Sequence, residues 1–365
     1  MAGGAVWPGR RPLERMPMAQ SGIDTGGTPV PYDALLVVSF GGPERREDVM
    51  PFLENVLRGK RVPAERVAEV ARHYEHFGGV SPLNEQMRAL LAALLAELNA
   101  YGPRLAVYWG NRNWHPLLED TVREMAEDGV RRALAFVTSA FASYSGCRQY
   151  LEDIERARQS AGPRAPAIDK LRLFFNHPGF IEAVVGRIQA ALDTVPAERR
   201  PHVPLLYTAH SLPLAMARQS KYVEQLEEAC RLVSQRLGRT EWQLAFQSRS
   251  GPPHQPWLEP DVGQALTALV HSRRPEEVVI VPIGFVCEHM EVAYDLDVEV
   301  ANLCQGLGVR YVRAATVGTH PRFVRMIREV ILERMNPGTP RLALGDLGPS
   351  PDRCPETCCA PPQAP

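Results

Sequence analysis

Glu288, His289, Glu291, Asp295 and Glu299 follow directly on an apolar run in the stretch EEVVIVPIGFVCEHMEVAYDLDVE, from Glu276 to Glu299. Carboxylates beside an imidazole can bind a divalent cation and accept protons. Glu291, Asp295 and Glu299 recur at i, i+4 and i+8, which sets them on one stripe of an α-helix, with Val292, Leu296 and Val300 on the adjoining apolar stripe. The same spacing also describes the solvated face of an amphipathic helix. Position favours chemistry: VVIVPIGFV reads as a buried parallel strand, and open α/β sheets bind ligands off the carboxyl ends of their strands. His210, in Tyr207-Thr208-Ala209-His210-Ser211-Leu212-Pro213, closes another predicted strand, and Pro213 prevents immediate continuation as a helix. A histidine there is either packed or functional. Paired across one crevice with Glu291, it offers a metal ligand and a proton acceptor, as a site handling a divalent ion and an N–H acid requires.

The second chemical cluster is the tail, where Cys354, Cys358 and Cys359 follow a linker rich in Pro and Gly. With no secretory signal ahead of them, these thiols read as a metal site at an otherwise disordered end, rather than as disulfides. Cys230, Cys287 and Cys304 stand alone and read as small buried apolar residues, although Cys287 lies close to the candidate site.

The elements that must position these residues alternate. Asp33 to Phe40 reads as a strand, turned by Gly41-Gly42-Pro43 into a helix near Glu44; the turn is a weak phosphate-loop signal that tight chain reversal explains equally well. Helices are expected over Ala64 to Phe77 and Leu83 to Leu98, strands over Arg104 to Gly110 and Arg132 to Ser139, and a helix opened by Pro116 between them. The rhythm restarts at Lys170 with LRLFF as a strand, a helix over Pro178 to Leu192, the His210 strand, a helix over Tyr222 to Leu237, the strand WQLAFQS, a helix near Asp261 and the strand VVIVPIGFV. VRYVRAA and a helix over Pro321 to Met335 complete it. The expected fold is α/β: two Rossmann-like, doubly wound parallel-sheet halves with a cleft between them. Extra residues between Pro43 and Arg104 lengthen the first half and suit a lip over that cleft. The expected organisation is a disordered leader over 1–31, the first half with its lip over 32–172, the second half over 173–316, a helix over 317–336 returning to the first half, and the linker and cysteine tail over 337–365.

Composition narrows the partners. Lys and Arg total 41 against 42 Asp and Glu, a formal charge of −1 that gives no electrostatic case for nucleic acid. Apolar runs fall short of the roughly 20 residues a spanning helix needs, and the leader lacks a signal-peptide core. A monomer in the cytoplasm is expected.

The His210 segment, then Phe246-Gln247-Ser248-Arg249-Ser250-Gly251-Pro252 with Trp257-Leu258, then Pro282-Ile283-Gly284-Phe285 with Glu288 to Glu291 and Tyr294-Asp295-Leu296-Asp297, together resemble ferrochelatase in order and spacing. SFGGP, Gly78-Gly79-Val80-Ser81-Pro82 and Gly110-Asn111-Arg112-Asn113-Trp114-His115-Pro116 extend the resemblance from about Tyr32 to Met335. It implies insertion of Fe(II), as substrate, into a porphyrin held between the halves. His210 then corresponds to the histidine on which catalysis depends, as metal ligand or pyrrole-proton acceptor, and Glu291 to its partner carboxylate. Asp295 and Glu299 correspond to a path for hydrated cations or released protons. Phe40 lies where the family presents an apolar or aromatic residue beneath the macrocycle; some bacterial members place a tyrosine ligand there, which phenylalanine cannot replace. Ser81, Arg112 and Asn113 are candidate propionate contacts, Asn113 departing from the tyrosine of some relatives; a surface salt bridge is the plainer role for Arg112.

The lip sequence, LRGKRVPAERVAEVARHYEHFGG, is charged rather than greasy. That favours coproporphyrin III over protoporphyrin IX, with Arg58, Lys60 and Arg61 as possible counter-charges. Some family members also hold a 2Fe-2S cluster on one interior and three C-terminal cysteines, implying Cys147, Cys354, Cys358 and Cys359 as ligands here, with zinc as the alternative. Adjacent ligation by Cys358 and Cys359 is sterically demanding. The competing functions are a cobalt or nickel chelatase of the same fold, whose members are usually shorter or lack the SRxGPP and WL pair, and a non-catalytic haem or iron-sulfur protein, against which the intact His210 and Glu291 pair argues.

Overall fold

The computed structural model describes residues 31–59, 62–250, 255–355 and 357–361. The expected leader, apart from residue 31, lies outside these residues, as do Lys60, Arg61, Gly251 and Pro252. Strands β1 (Ala34–Ser39), β2 (Ala106–Asn111), β3 (Arg132–Val137) and β4 (Ala167–Lys170) form a parallel sheet in the order β2-β1-β3-β4. Strands β5 (Leu205–His210), β6 (Gln243–Gln247), β7 (Glu277–Val281) and β8 (Arg310–Arg313) form a second in the order β6-β5-β7-β8. The two orders are the same permutation, so the repeat read from the sequence is a repeat of topology. The helices are α1 (Val49–Leu57), α2 (Ala64–His76), α3 (Leu83–Tyr101), α4 (Leu118–Glu127), α5 (Gln149–Ala161), α6 (Pro178–Leu192), α7 (Leu214–Ala217), α8 (Tyr222–Arg236), α9 (Val262–Arg273), α10 (Met290–Tyr294), α11 (Ala301–Gly306) and α12 (Pro321–Met335).

Strand alternation builds the layers. On β1, Leu35 and Val37 enter a core shared by both halves, while Ala34, Leu36 and Val38 face α4 and α5. In the second sheet, Tyr207 on β5 and Val279 on β7 enter the same shared core, and Leu206, Val278 and Ile280 face α9 and the α10–α11 segment. Between the sheets, α3, α6 and α12 supply Leu90, Phe180 and Phe323 to that core. The Phe174, Phe180 and Phe323 rings meet there with centroids 5.7 to 6.4 Å apart. Arg328 on α12 pairs with Glu97 on α3 at 2.8 Å.

Three expectations are corrected. LRLFF is not a strand: β4 lies just before it at the edge of the first sheet, and Leu171, Leu173, Phe174 and Phe175 are buried as coil leading to α6. Pro116 does not open α4, which begins at Leu118; its carbonyl instead accepts from the Asn111 N–H at 2.7 Å, closing the turn after β2. The tail is not loose. Asn176 donates to the Leu344 and Gly348 carbonyls at 3.1 and 2.8 Å, and Arg172 donates to Leu342 O at 2.8 Å while forming a buried pair with Glu333. Polar groups so buried require partners, and residues 342–348 supply them.

No helix among the described residues is long and apolar enough to cross a membrane.

Candidate active site

The carboxyl ends of β1, β2, β5, β6 and β7 carry the candidate residues, as a doubly wound sheet dictates. At β1, Gly41 has φ +83°, and an added Cβ would lie 2.9 Å from Asn111 Cβ, while one on Gly42 would lie 2.7 Å from Ser81 Cβ. The GGP turn is therefore filled by close packing, which answers its phosphate-loop signal. Phe40, beside it, is 38% exposed and meets Phe52 edge-on at 6.2 Å, leaving an aromatic surface available at the mouth of the first sheet.

His210 ends β5, and its orientation is fixed from two sides. Tyr222 donates to its carbonyl at 2.9 Å, and its Nδ1 lies 2.6 Å from Ser211 O. A carbonyl only accepts, so Nδ1 carries the proton of the neutral ring and Nε2 carries the lone pair. That lone pair points toward Glu291 Oε2, 3.5 Å away. Two acceptors facing each other are favourable when a proton or a cation stands between them. The loop after β7 comes this close because residue 284 is glycine: an added Cβ would lie 2.7 Å from Ala209 Cα.

The segment carrying Glu291 is short and irregular. His289 caps α10, its Nδ1 accepting from the Val292 N–H at 3.3 Å, and burial lowers its pKa. After Tyr294 the chain widens into a π-helical stretch, Asp295–Val300. The expected α-helical stripe is corrected accordingly. Val292, Leu296 and Val300 are buried as predicted, but Asp295 turns inward while Glu291 and Glu299 stay exposed. Asp295 accepts from Ser248 Oγ and, at 3.4 Å, from Gln247 Nε2. Ser248 has φ +62°, a left-handed conformation that swings its hydroxyl under the helix. Burial, reinforced by Glu291 and Glu299, pushes the Asp295 carboxyl up to about 7. Burial likewise raises Glu299.

The sign of the Asp295 shift gives a stability prediction. The folded chain holds a proton that the unfolded chain releases above its ordinary value of 3.8, so the parent loses stability as pH rises from there to about 7 and then levels off. Asp295→Asn lacks this term and still accepts from Ser248. Its stability relative to the parent should climb across that window by up to about 1.4 kcal/mol per pH unit, then stay constant. Urea unfolding across the window measures it, and a flat difference would refute the protonated Asp295.

The remaining candidates are buried more deeply than sequence reading expected. Ser81 is buried and its Oγ accepts from the Leu83 N–H at 3.4 Å. Arg112, expected to meet a propionate or to form a surface salt bridge, forms an almost completely buried pair with Asp153 and lies 3.7 Å over the Tyr150 ring. Its NH2 atom and Asn113 Nδ2 are buried without a hydrogen-bond partner. A propionate would reach these three residues only after side chains move. Glu288 is structural: burial pushes its carboxyl up, but Arg313 and the Thr316 N–H outweigh that and hold it below the usual range. Cys287 packs against Met87 Sδ at 3.8 Å, and burial pushes its thiol up to about 12, as expected of a buried apolar residue.

The contacts that seat the lip left no signal in the sequence. Tyr74 of α2 is buried with Val49, Phe52 and Leu53 of the first half and with Met290 of α10, and His73 stacks on Tyr294 at 3.7 Å. The periodicity of α2 predicts a helix, not the element it meets.

Beyond the carboxyl end of β3, Cys147 and Cys359 are buried in one cluster with Ala142 and Leu173, and Cys358 packs against it. Cys359 has φ +52°, a turn that brings its Sγ to 3.7 Å from that of Cys358 despite their adjacency. Donation from Cys359, then the Lys170 ammonium, holds the Cys147 thiol down to about 6 against burial. Cys354 is exposed, and burial followed by repulsion from Cys358 and Cys147 raises it to about 11. Among the described residues, no three His, Cys, Asp or Glu side chains are arranged as a ready-made metal-ion site.

The sequence matches the protein family described as Ferrochelatase over residues 32–335. The chain belongs to the ferrochelatase family. It is an enzyme, a porphyrin metal chelatase. A ferrochelatase from Rhodopirellula baltica is 54% identical over 329 residues, spanning 90% of this chain and 93% of that protein. Coproporphyrin III ferrochelatases from Frankia alni and Nocardia farcinica are 53% and 49% identical, spanning 91% of this chain and 87% and 98% of theirs. The structure of SirB from Bacillus subtilis with Fe3+ shares the fold, with a TM-score of 0.52 at 14% identity over 82% of this chain and 95% of that one. The two parallel four-stranded sheets are thus a chelatase-type α/β fold.

Proposed function

We propose that this ferrochelatase inserts Fe(II) into coproporphyrin III, giving coproheme and two protons, with His210 and Glu291 as the catalytic pair. The observation that carries this reading is the approach of His210 Nε2 to Glu291 Oε2 at 3.5 Å, two acceptors converging at the carboxyl ends of β5 and β7. A porphyrin must lose two N–H protons as the metal enters, and Fe(II) must exchange water for pyrrole nitrogens. An imidazole lone pair supplies either a metal ligand or a proton acceptor, and the neighbouring carboxylate stabilises the cation that results. Asp295, with its proton affinity near neutrality, is suited to pass protons outward. Phe40 offers its ring to the macrocycle face. No axial oxygen can come from position 40.

The choice of porphyrin rests on the lip. Apart from Tyr74, α2 is nowhere fully buried, and Arg58 is exposed at the end of α1 just before it. A tetracarboxylate substrate matches such a mouth better than the dicarboxylate protoporphyrin IX, and two of the relatives above carry coproporphyrin III in their names. Competition between the two free-base porphyrins for anaerobic Fe(II) tests this, with coproporphyrin III expected to be consumed first; preferential consumption of protoporphyrin IX would overturn the lip argument. The reaction is assigned to the cytoplasm, with one chain as the working unit.

The tail thiols fit a 2Fe-2S cluster in donor type and number: Cys147, Cys354, Cys358 and Cys359 would hold it, and the left-handed turn at Cys359 relieves the adjacency problem. Such a cluster supplies a one-electron redox couple and a cross-link through four thiolates. Zinc in the same thiolates is the competing occupant.

A further inference from the structure

α2 belongs to the first half, yet its inner end rests on the second. Tyr74 is the one residue of this helix that is fully buried, in contact with a cluster that includes Met290 of α10. The residue before it, His73, lays its ring on Tyr294 with centroids 3.7 Å apart and planes within 9° of parallel. His76, one turn on, meets the same ring edge-on at 6.1 Å. Met290 and Tyr294 are the first and last residues of α10, so the lip grips this short helix at both ends, and Glu291 lies between the grips. The rest of α2 is partly or fully exposed, and so the lip's hold on the second half depends on very few side chains.

We propose that the stacked His73 and Tyr294 rings form a clasp that holds the lip helix shut over a macrocycle in the cleft. The inference rests on reading the cleft between the halves as the porphyrin site. A stack suits this task. An aromatic pair contributes about 0.5–1.5 kcal/mol, enough to bias closure roughly three- to tenfold and little enough to open at every turnover. Neither His73 nor Tyr294 is a member of the 3.5 Å His210–Glu291 pair, so the clasp acts on retention of the macrocycle rather than on metal insertion.

The test uses the full chain with His73→Ala, which deletes the stack, and His73→Phe, which preserves a flat ring. Two readouts are taken: hydrogen–deuterium exchange of the α2 amides relative to those of α3, and equilibrium binding of metal-free coproporphyrin III by fluorescence. In His73→Ala the α2 amides should exchange roughly three- to tenfold faster and the porphyrin Kd should weaken by a similar factor, with His73→Phe close to the parent in both. The clasp is overturned if His73→Ala changes neither quantity, if exchange rises while affinity stays put, or if His73→Phe behaves as His73→Ala does. A parent protein that binds neither coproporphyrin III nor protoporphyrin IX would remove the cleft reading, and the clasp with it. Normal parental binding with unchanged His73→Ala values removes the clasp alone.

Discussion

Replacing His210 with alanine is expected to slow Fe(II) insertion by about 10²- to 10⁴-fold, the range lost with a positioned general base, while metal-free porphyrin still binds. The expectation follows from the tautomer. With Nδ1–H directed at Ser211 O, 2.6 Å away, the only lone pair on the ring is the one aimed at Glu291. Alanine removes that lone pair and leaves the fold's packing largely intact, because His210 is partly exposed at a strand end rather than buried in the core. The loss should appear in kcat rather than in porphyrin affinity, since the imidazole acts on the metal and the pyrrole protons. Near-normal turnover would exclude His210 from the chemistry.

Truncation before Cys354 carries the second large effect. It removes three of the four thiols proposed as cluster ligands and, on that proposal, is expected to abolish visible iron-sulfur absorbance in protein purified without oxygen. The fold should survive. The anchors of the preceding coil, Asn176 to Leu344 and Gly348 and Arg334 to Asp352, all lie outside the deleted residues. A cluster that persists in the truncated chain would show that other ligands hold it. Zinc bound stoichiometrically to the intact chain, without colour, would assign the thiols to that metal.

Much of the site was legible because it depends on strand ends. Short β-branched runs mark β1 and β7 unambiguously, and residues immediately beyond a parallel strand must face the sheet's carboxyl edge, which is how His210 and Glu291 could be paired. β4 was missed for the opposite reason: Ala167–Lys170 is a half-exposed edge strand of mixed polarity, while the apolar LRLFF beside it is buried as coil. The π-helical stretch left no trace, because one widened turn shifts side chains without altering the apolar spacing of Val292, Leu296 and Val300. The ordered tail was illegible locally. Its partners Arg172 and Asn176 lie far back in the chain, and a buried guanidinium or amide does not announce in sequence which carbonyl will satisfy it. Arg112 and Asn113 were found as polar residues at a strand end, but the burial of Arg112 depends on Asp153 and Tyr150 of α5, which spacing could not foresee.

The most direct measurement incubates the anaerobically purified chain with Fe(II) and equal amounts of coproporphyrin III and protoporphyrin IX, and follows loss of each free-base spectrum. The account predicts catalytic, Fe(II)-dependent disappearance of coproporphyrin III ahead of protoporphyrin IX. Protein that retains a stoichiometric haem and metallates neither porphyrin would contradict it.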